Sequence, residues 1–239
     1  IIGMSVIFPN ADTLEEYWNN ILLGKNSITQ VPPTRWDTIS YSTSTREPFK
    51  INSKWGSFLQ PVTFNPIDFG IPPKLLPSID SAQILSLIAS NRALQDAGYG
   101  INTSFDRSNT SVFFGFSGGL GELGQGYLGS SIMAPLLSKY PKLAEHFPTW
   151  TSDSFPGLLP NVISGRIANR FNLGGTNCTL DAACASSFAA VDLAVSKLRS
   201  NTTNMAIVGG VDTLQSPFPY FCFSETGALS QSGSVLPFT

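Results

Sequence analysis

The sequence predicts an α/β fold, in which helices pack on a parallel sheet. Residues Met205–Val211 are wholly apolar, as expected of a strand covered on both faces. Asn177–Asp181 has the pattern of a second strand, and Cys184–Arg199 between the two has the apolar spacing of a helix. Strand, helix and strand therefore alternate, which is typical of layered α/β folds with right-handed crossovers.

The first third of the chain predicts one strand, one helix and a long connection. Ile1–Phe8 is an apolar run that predicts a buried strand. Asp12–Leu23 predicts an amphipathic helix with its first residue as N-cap, and Gly24 is expected to end it. Residues 26–77 are rich in Pro, Ser and Thr and show little periodicity. Connections of this length are usually functional or form interfaces.

The middle of the chain contains the clearest predicted helix, Ser78–Ala97. Ser78 or Asp80 can cap this helix, and Gly98 is expected to end it. Three further elements are predicted before the second strand: a strand over 111–116, partly helical structure over 130–146 that prolines interrupt, and a helix over 156–171.

Composition excludes several classes of function. Charged residues make up 13% of the 239 residues, against about 25% in soluble domains, so we expect further chain or a second subunit to cover much of the surface. The net charge of −2 gives no electrostatic case for nucleic acid or an anionic membrane. No apolar stretch reaches the roughly 20 residues that span a bilayer, and no signal peptide is visible.

Both ends of the sequence suggest a piece of a longer polypeptide. The chain begins inside the apolar run at Ile1 and ends in turn-like sequence at Leu236–Thr239. We therefore expect residues 1–239 to be one portion of a single domain, truncated at both ends, with 26–77 as a connection within it.

The cysteines predict a reducing compartment. Cys178, Cys184 and Cys222 are odd in number and form no CxxC pair, which favours a cytoplasmic setting over a disulfide framework. Together with the single histidine, His146, they lack the spacing of zinc ligands, so no metal site is predicted.

Cys184 is the strongest candidate for chemistry. It lies in the run Thr179–Phe188, where a strand is expected to give way to a helix of small residues. Backbone N–H groups at a helix N-terminus favour an anion, here the thiolate that acts as a nucleophile. The alternative is a buried, inert cysteine that packs as a small hydrophobe. Asp181, as an expected helix cap, would add negative charge that opposes thiolate formation.

Two glycine patterns offer weaker alternatives. Gly115–Gly119 fits G-x-S-x-G, the nucleophile elbow of serine hydrolases, with Ser117 as nucleophile. That class needs an acid and then a histidine later in the chain. The only acidic residues between Ser117 and His146 are Glu122 and Glu145, and both are poorly placed in chain order for that class. A glycine turn after a strand explains the pattern equally, and His146 has the setting of a surface residue.

The second glycine pattern, Gly119–Gly124, fits G-x-G-x-x-G. A dinucleotide site needs a compact strand–turn–helix unit with an acid at the end of the next strand. The sequence before Glu145 is helical and broken by proline instead, so the match is interpreted as accidental.

Several segments together resemble the β-ketoacyl synthases, the condensing enzymes of fatty-acid and polyketide assembly. The most specific is Asp181–Ser187, Asp-Ala-Ala-Cys-Ala-Ser-Ser, which is close to the family's active-site signature. Polyketide enzymes commonly have Thr at position 182 and Ser at 185. The alanine version resembles the ketosynthases of polyunsaturated fatty-acid and enediyne synthases. The other segments that carry the resemblance are Ile2–Pro9, Leu14–Trp18, Val31–Asp37, Ile79–Gln83, Leu94–Gly98, Ser164–Ala168 and Ser216–Ser224.

The resemblance implies a fold and a site. It implies the thiolase-like layered αβαβα fold of two similar halves, of which this chain is mainly the N-terminal half, and a homodimer. It implies that Cys184 is the nucleophile and that its backbone N–H contributes to the oxyanion hole. Two histidines and a lysine are implied in the C-terminal half, and His146 matches neither histidine. Many relatives have Lys where this chain has Glu225.

The resemblance also implies a reaction. An acyl group moves to the cysteine, and a malonyl thioester on an acyl carrier protein domain then condenses with it as CO2 leaves. No cofactor is expected in this domain, since phosphopantetheine arrives on the carrier protein or as CoA. Residues 1–239 alone are expected to be inactive. The alternative is a non-catalytic dimer partner, against which Cys184 argues because such partners generally lack the cysteine.

Overall fold

The computed structural model describes residues 1–42, 50–100 and 103–236. Parts of the predicted connection over 26–77 and of the turn over 236–239 lie outside these residues. The chain forms two compact units, each made of two segments. The first unit comprises Ile1–Ser5 and Thr63–Thr213, and the second comprises Val6–Val62 and Leu214–Thr239.

The described helices and strands are, in chain order, α1 (Leu14–Leu22), β1 (Thr29–Gln30), α2 (Thr38–Ser42), β2 (Trp55–Gly56), 3-10 helices over Pro66–Phe69 and Pro73–Ser78, α3 (Ser81–Asp96), β3 (Thr110–Gly115), α4 (Glu122–Ile132), α5 (Ala134–Lys139), α6 (Pro141–Ala144), α7 (Ser154–Leu158), α8 (Asn161–Phe171), β4 (Asn177–Leu180), α9 (Ser186–Arg199), β5 (Met205–Gly210) and α10 (Pro217–Glu225). None of the helices within the described ranges combines the length and the apolar character needed to cross a membrane.

The first unit is built on a parallel sheet with the strand order β4-β3-β5. Gly115 of β3 pairs with Leu180 of β4 on one side and with Gly210 of β5 on the other. The carboxyl ends of all three strands therefore meet at one edge of the sheet. The chain passes from β4 through α9 to β5, the strand–helix–strand order that the sequence predicted, and β3 lies between the two strands.

The middle of the sheet is covered on both faces. The side chains of β3 alternate in direction, so each face contributes to a separate core cluster. Val112 and Phe114 lie in a core cluster with Leu87 of α3 and with Ile163 and Ile167 of α8. Phe113 faces the other side, in a cluster with buried alanines of α9. Every residue of β3 is buried, so the central strand is held firmly in the core, and with it the edge of the sheet where the strands end.

Helix α9 packs on the sheet through small residues. Ala190 and Ala194 are 0% and 3% exposed, and they allow the helix backbone to approach β3 closely. The larger apolar residues, whose spacing predicted this helix, lie on another face and remain exposed: Phe188, Val191, Val195 and Leu198 are 77%, 47%, 38% and 41% exposed. Strand β5 is partly exposed except at Ile207, so it is less covered than its apolar sequence predicted.

Two sequence predictions for helices need correction, and one alternative that the sequence left open is decided. Helix α1 is capped by Thr13 rather than Asp12, since the Thr13 hydroxyl and Glu16 form a capping box. The helix predicted over 156–171 is two helices, α7 and α8, that meet at Pro160. Of the two caps predicted for α3, Asp80 is the one used, because its carboxylate accepts the N–H of Ala82 at 2.9 Å.

The predicted strand Ile1–Phe8 is wrong for the described structure. None of residues 1–7 is in a strand, and Ile1, Ile2 and Met4 are more than half exposed. A strand exists only where a neighbouring strand accepts its backbone hydrogen bonds, and the described residues supply no such neighbour for this run.

The second unit contains an aromatic cluster that joins its two segments. Trp36 lies edge-on to Tyr220, with the ring centroids 5.1 Å apart, and its indole N–H donates to the carbonyl of Gln215 at 3.2 Å. The Tyr220 hydroxyl donates to the carbonyl of Trp55 at 3.0 Å. The unit also contains a short antiparallel ladder of β1 and β2, so residues 26–77 are not wholly irregular.

Candidate active site

Cys184 lies in the turn between β4 and α9, at the carboxyl edge of the parallel sheet. Helix α9 begins at Ser186, two residues later than predicted, so the cysteine precedes the helix. The residue is exposed. Ligands of open α/β sheets bind outside the carboxyl ends of the strands, and the structure brings the predicted nucleophile to that edge.

The turn that carries Cys184 is held by two side chains. The Asp181 carboxylate accepts the N–H of Ala183 at 2.9 Å. The Ser186 hydroxyl accepts the N–H of Ala182 at 2.9 Å and donates to the carbonyl of Ala183 at 2.6 Å. Ala183 itself has a φ of 51°, in the left-handed region that residues with a side chain rarely adopt.

The sequence suggested Asp181 as the cap of the helix, and this prediction is wrong. Asp181 caps the turn before the helix, and no side chain of the described structure caps α9. Among the described residues, the backbone N–H of Cys184 has no hydrogen-bond partner. A free N–H beside an exposed thiol is what acyl transfer to the sulfur needs, since the oxyanion forms next to both.

Glycines at the strand ends allow the first residues of α9 to contact the sheet closely. A Cβ at Gly115, the last residue of β3, would overlap the backbone of Ser186 and lie 2.6 Å from the nitrogen of Ser187. A Cβ at Gly210, the last residue of β5, would lie 2.8 Å from the Cβ of Ser187. The first turn of α9 is therefore pressed against both strand ends, which fixes the height of the Cys184 turn.

The other two cysteines differ from Cys184 in setting. Cys178 on β4 is half-buried, and burial raises the pKa of its thiol, an effect that nearby Lys197 partly offsets. It packs near the alanine face of α9 as a small apolar group. Cys222 is exposed but belongs to α10 of the second unit. All three thiols are free.

Ser117 does not sit in a nucleophile elbow. The positive φ angles of its turn fall on Gly118 and Gly119, which absorb the sharp bend after β3 as a glycine turn does. His146 is exposed, just after the short helix α6, as expected of a surface histidine. The structure gives no contact between His146 and Ser117 among the described residues.

The N-terminus of α4, within the pattern Gly119–Gly124, is already occupied by a carboxylate of the protein. Asp80 accepts the N–H of Leu123 at 3.3 Å as well as that of Ala82, so one side chain caps both α4 and α3. A Cβ at Gly121 would overlap the Asp80 carboxylate, which explains this glycine without any ligand. This geometry agrees with the interpretation of the dinucleotide pattern as accidental.

A buried polar network beside Asp80 was not predicted from the sequence. Gln83 is 1% exposed, and its amide N–H groups donate to the carbonyls of Pro156, Gly157 and Leu159. Its amide oxygen accepts the Nε–H of Arg166 at 3.0 Å, and burial lowers the pKa of that guanidinium. The segment Ser164–Ala168 thus ties α8 to α3, and Ser164 also accepts the hydroxyl of Thr179 on β4 at 3.2 Å.

Comparison with known proteins identifies the class to which this fold and site belong. The profile of the family "Beta-ketoacyl synthase, N-terminal domain" matches residues 1–239. One of the polyunsaturated fatty acid synthase proteins of Thraustochytrium is 34% identical over 98% of the chain, and polyketide synthase PksN of Bacillus subtilis is 34% identical over all of it. The chain spans 9% and 4% of the length of these two relatives.

Solved structures lead to the same class. An oxazolomycin ketosynthase domain of Streptomyces albus matches 98% of the chain with a TM-score of 0.80 and 26% identity, and the match covers 37% of that structure. The ketosynthase from module 6 of the bacillaene synthase of Bacillus subtilis matches with a TM-score of 0.75 and 27% identity. The fold is therefore the thiolase-like α/β fold of ketosynthase domains, as expected. The chain belongs to the β-ketoacyl synthase family, whose N-terminal domain it matches throughout.

Proposed function

We propose that this chain carries the nucleophile of a β-ketoacyl synthase, and that the nucleophile is Cys184. The observation that supports this most directly is an exposed thiol on a braced turn at the carboxyl edge of the sheet. The N–H of the same residue is free among the described residues. Family membership makes acyl transfer the chemistry that this arrangement suits.

In the first step the Cys184 sulfur attacks the carbonyl carbon of an acyl phosphopantetheine thioester. The carbonyl oxygen becomes an oxyanion, which the N–H of Cys184 stabilises. The tetrahedral intermediate collapses, the phosphopantetheine thiolate leaves and takes up a proton, and the acyl group remains on Cys184 as a new thioester.

In the second step a malonyl-type thioester on an acyl carrier protein loses CO2. The electron pair left on its α-carbon attacks the acyl carbon on Cys184. The C–S bond to the cysteine breaks, and the product is a β-ketoacyl chain two carbons longer on the carrier protein. The histidines that support the loss of CO2 are proposed to come from outside residues 1–239, so these residues alone do not condense substrates.

The same proposal includes a reducing, cytoplasmic setting, which the three free thiols favour. It also includes a homodimer. Strand β4 is an edge strand of the described sheet and could pair with another chain. The exposed apolar stripe of α9 supports a further cover, for which we propose the C-terminal half of the ketosynthase. Sedimentation of the intact protein as a monomer would contradict the dimer.

The nucleophile is tested by Cys184→Ala in the intact protein. We expect this variant to lose all covalent labelling by a radioactive acyl thioester, because the attacking sulfur is gone. Labelling is measured on the denatured protein, and the labelled peptide is located by mass spectrometry. Labelling of the Cys184→Ala protein at the wild-type level would refute the assignment.

Cys222→Ala is the matched control. Cys222 is also an exposed, free cysteine, and its loss should leave acyl labelling unchanged. A fluorophosphonate probe provides an independent check of the serine alternative, since it reacts with activated serines. Modification of Ser117 by this probe would favour a hydrolase instead.

A further inference from the structure

The Ser186 hydroxyl bonds to both sides of the bend before Cys184. It accepts the N–H of Ala182 at 2.9 Å and donates to the carbonyl of Ala183 at 2.6 Å. The backbone N–H of Ser186 also donates to the carbonyl of Ala183, at 3.0 Å. Ser186 is 6% exposed, and the two bonds of its hydroxyl are partly buried.

The carbonyl of Ala183 and the N–H of Cys184 belong to the same peptide unit. A trans peptide is planar, and its C=O and N–H bonds point in opposite directions. When Ser186 holds the Ala183 oxygen from one side, the Cys184 N–H is therefore turned to the other side, away from α9. Ser186 thus sets the direction of this N–H, which has no partner among the residues that the structure describes.

Two features of the bend explain why the Ser186 hydroxyl can hold it, and the first concerns Ser186 itself. Its backbone lies directly against Gly115, where any side chain would overlap it, so the sheet fixes the position from which the hydroxyl acts. Ala183 has a φ of 51°, which an alanine seldom adopts without outside hydrogen bonds to hold it. Loss of the hydroxyl would leave Ala182 N–H without its acceptor and Ala183 O with one donor fewer.

We infer that Ser186 is a positioning residue for acyl transfer at Cys184, because its hydroxyl orients the Cys184 N–H toward the oxyanion. This inference rests on the proposed function of Cys184. Ser186 touches neither the thiol nor the acyl group in this account. It acts on the rate through the Ala183–Cys184 peptide.

Two reactions of the same thiol separate orientation from reactivity. Acyl transfer passes through an oxyanion and needs the oriented N–H. Alkylation by iodoacetamide is a direct displacement of iodide by sulfur and forms no oxyanion at an acyl carbon. In the intact protein, Ser186→Ala should slow acyl transfer to Cys184 by about tenfold or more, because removal of an oxyanion donor costs about 100-fold and misorientation should cost part of that. Alkylation of Cys184 should stay within about threefold of wild type.

Ser187→Ala is the matched control, since it removes the hydroxyl of an exposed neighbour in the same helix turn. Both rates should stay at wild-type values in that variant. Wild-type acyl transfer in Ser186→Ala would overturn the inference, and so would an equal fall in both rates, which indicates general collapse of the turn. Persistent acylation of Cys184→Ala would instead refute the proposed function and leave Ser186 without a role.

Ala183→Gly provides a second background. Glycine adopts the left-handed conformation without strain, so the turn depends less on the hydroxyl. We expect Ser186→Ala to slow acyl transfer by less than about threefold when Gly occupies position 183, so that the two changes are not additive. This comparison also decides the matter if Ser186→Ala alone fails to fold. Equal losses in both backgrounds would contradict the inference.

Discussion

The left-handed backbone of Ala183 shows how much local structure surrounds the candidate nucleophile. An L residue in this conformation costs roughly 1–2 kcal/mol relative to a right-handed one. Hydrogen bonds that the turn donates to Asp181 and exchanges with Ser186 offset that cost. The position of Cys184 could be predicted from the strand and helix patterns. The conformation of Ala183 could not, because alanine gives no signal for a positive φ.

Asp80 is the other residue whose role exceeds what its sequence context suggests. It is 4% exposed, and burial raises the pKa of its carboxyl, although the N–H groups of Ala82 and Leu123 act in the opposite direction. A cap for α3 was predicted at this position. The second bond, to α4, joins residues far apart in sequence and had no local pattern.

The raised pKa of Asp80 predicts a pH dependence of stability. Because the folded protein binds this proton more tightly than the unfolded chain, the stabilising contribution is full below the unfolded pKa of about 3.9. It is lost as the pH rises through the folded pKa. Asn at position 80 keeps the cap of α3 and does not titrate.

The free energy of unfolding of wild type minus that of Asp80→Asn should therefore decrease from about pH 3.5 toward neutral pH. Urea denaturation of the two proteins across this range measures the difference. A difference that increases with pH would mean that the hydrogen bonds outweigh burial and that the folded pKa is lowered instead.

At the scale of elements, the position of α9 depends on the glycines at the strand ends, which its first turn contacts. The sequence predicted a helix of small residues, and two of its alanines, Ala190 and Ala194, are buried. It did not predict which residue of the strands they would meet, because that depends on the register of β3 with β5. The failed prediction of a strand over Ile1–Phe8 has the same origin. An apolar run specifies burial, whereas a strand also needs a partner.

Gly115→Ala tests the contact between β3 and α9. The new Cβ would lie 2.6 Å from the carbonyl oxygen of Ser186, so the helix must move. We expect a loss of about 1–3 kcal/mol in the free energy of unfolding, as for overpacked cores, together with slower acylation of Cys184.

Gly165→Ala is a control of the same chemistry in α8. A Cβ there would lie 3.8 Å from the side-chain oxygen of Asn177, an ordinary contact, and alanine favours the helix by about 0.5–1 kcal/mol. Chemical denaturation should therefore show changes of opposite sign for the two glycines. Equal stability of Gly115→Ala and wild type would mean that α9 does not rest on this strand end.

For the molecule as a whole, composition and structure point the same way. Charged residues are scarce, and large apolar side chains such as Trp18, Leu22 and Phe188 are 59%, 65% and 77% exposed. Surfaces of this kind normally face protein. The sequence therefore allowed the prediction that much of the surface is covered. The fold class was also predictable, because alternating strand and helix patterns extend over long segments.

Residues 1–239, expressed alone, are expected to yield no β-ketoacyl product from acyl and malonyl thioesters. The chain offers a single histidine, which is exposed, while decarboxylation is proposed to need histidines near the thiol. Mass spectrometry of the thioester products measures this, with the intact protein as the positive control. Turnover by the 239 residues at a rate near that of the intact protein would show that the site is complete without other chain.

The carboxylate of Asp80 at the start of α4 has a consequence for how this family member would respond to nucleotides. It acts as a tethered ligand, whose effective concentration at the helix end is on the order of millimolar or above. Any free phosphate must displace it and compete at that concentration. The N-terminus of α4 is thereby kept occupied by a carboxylate of the protein itself.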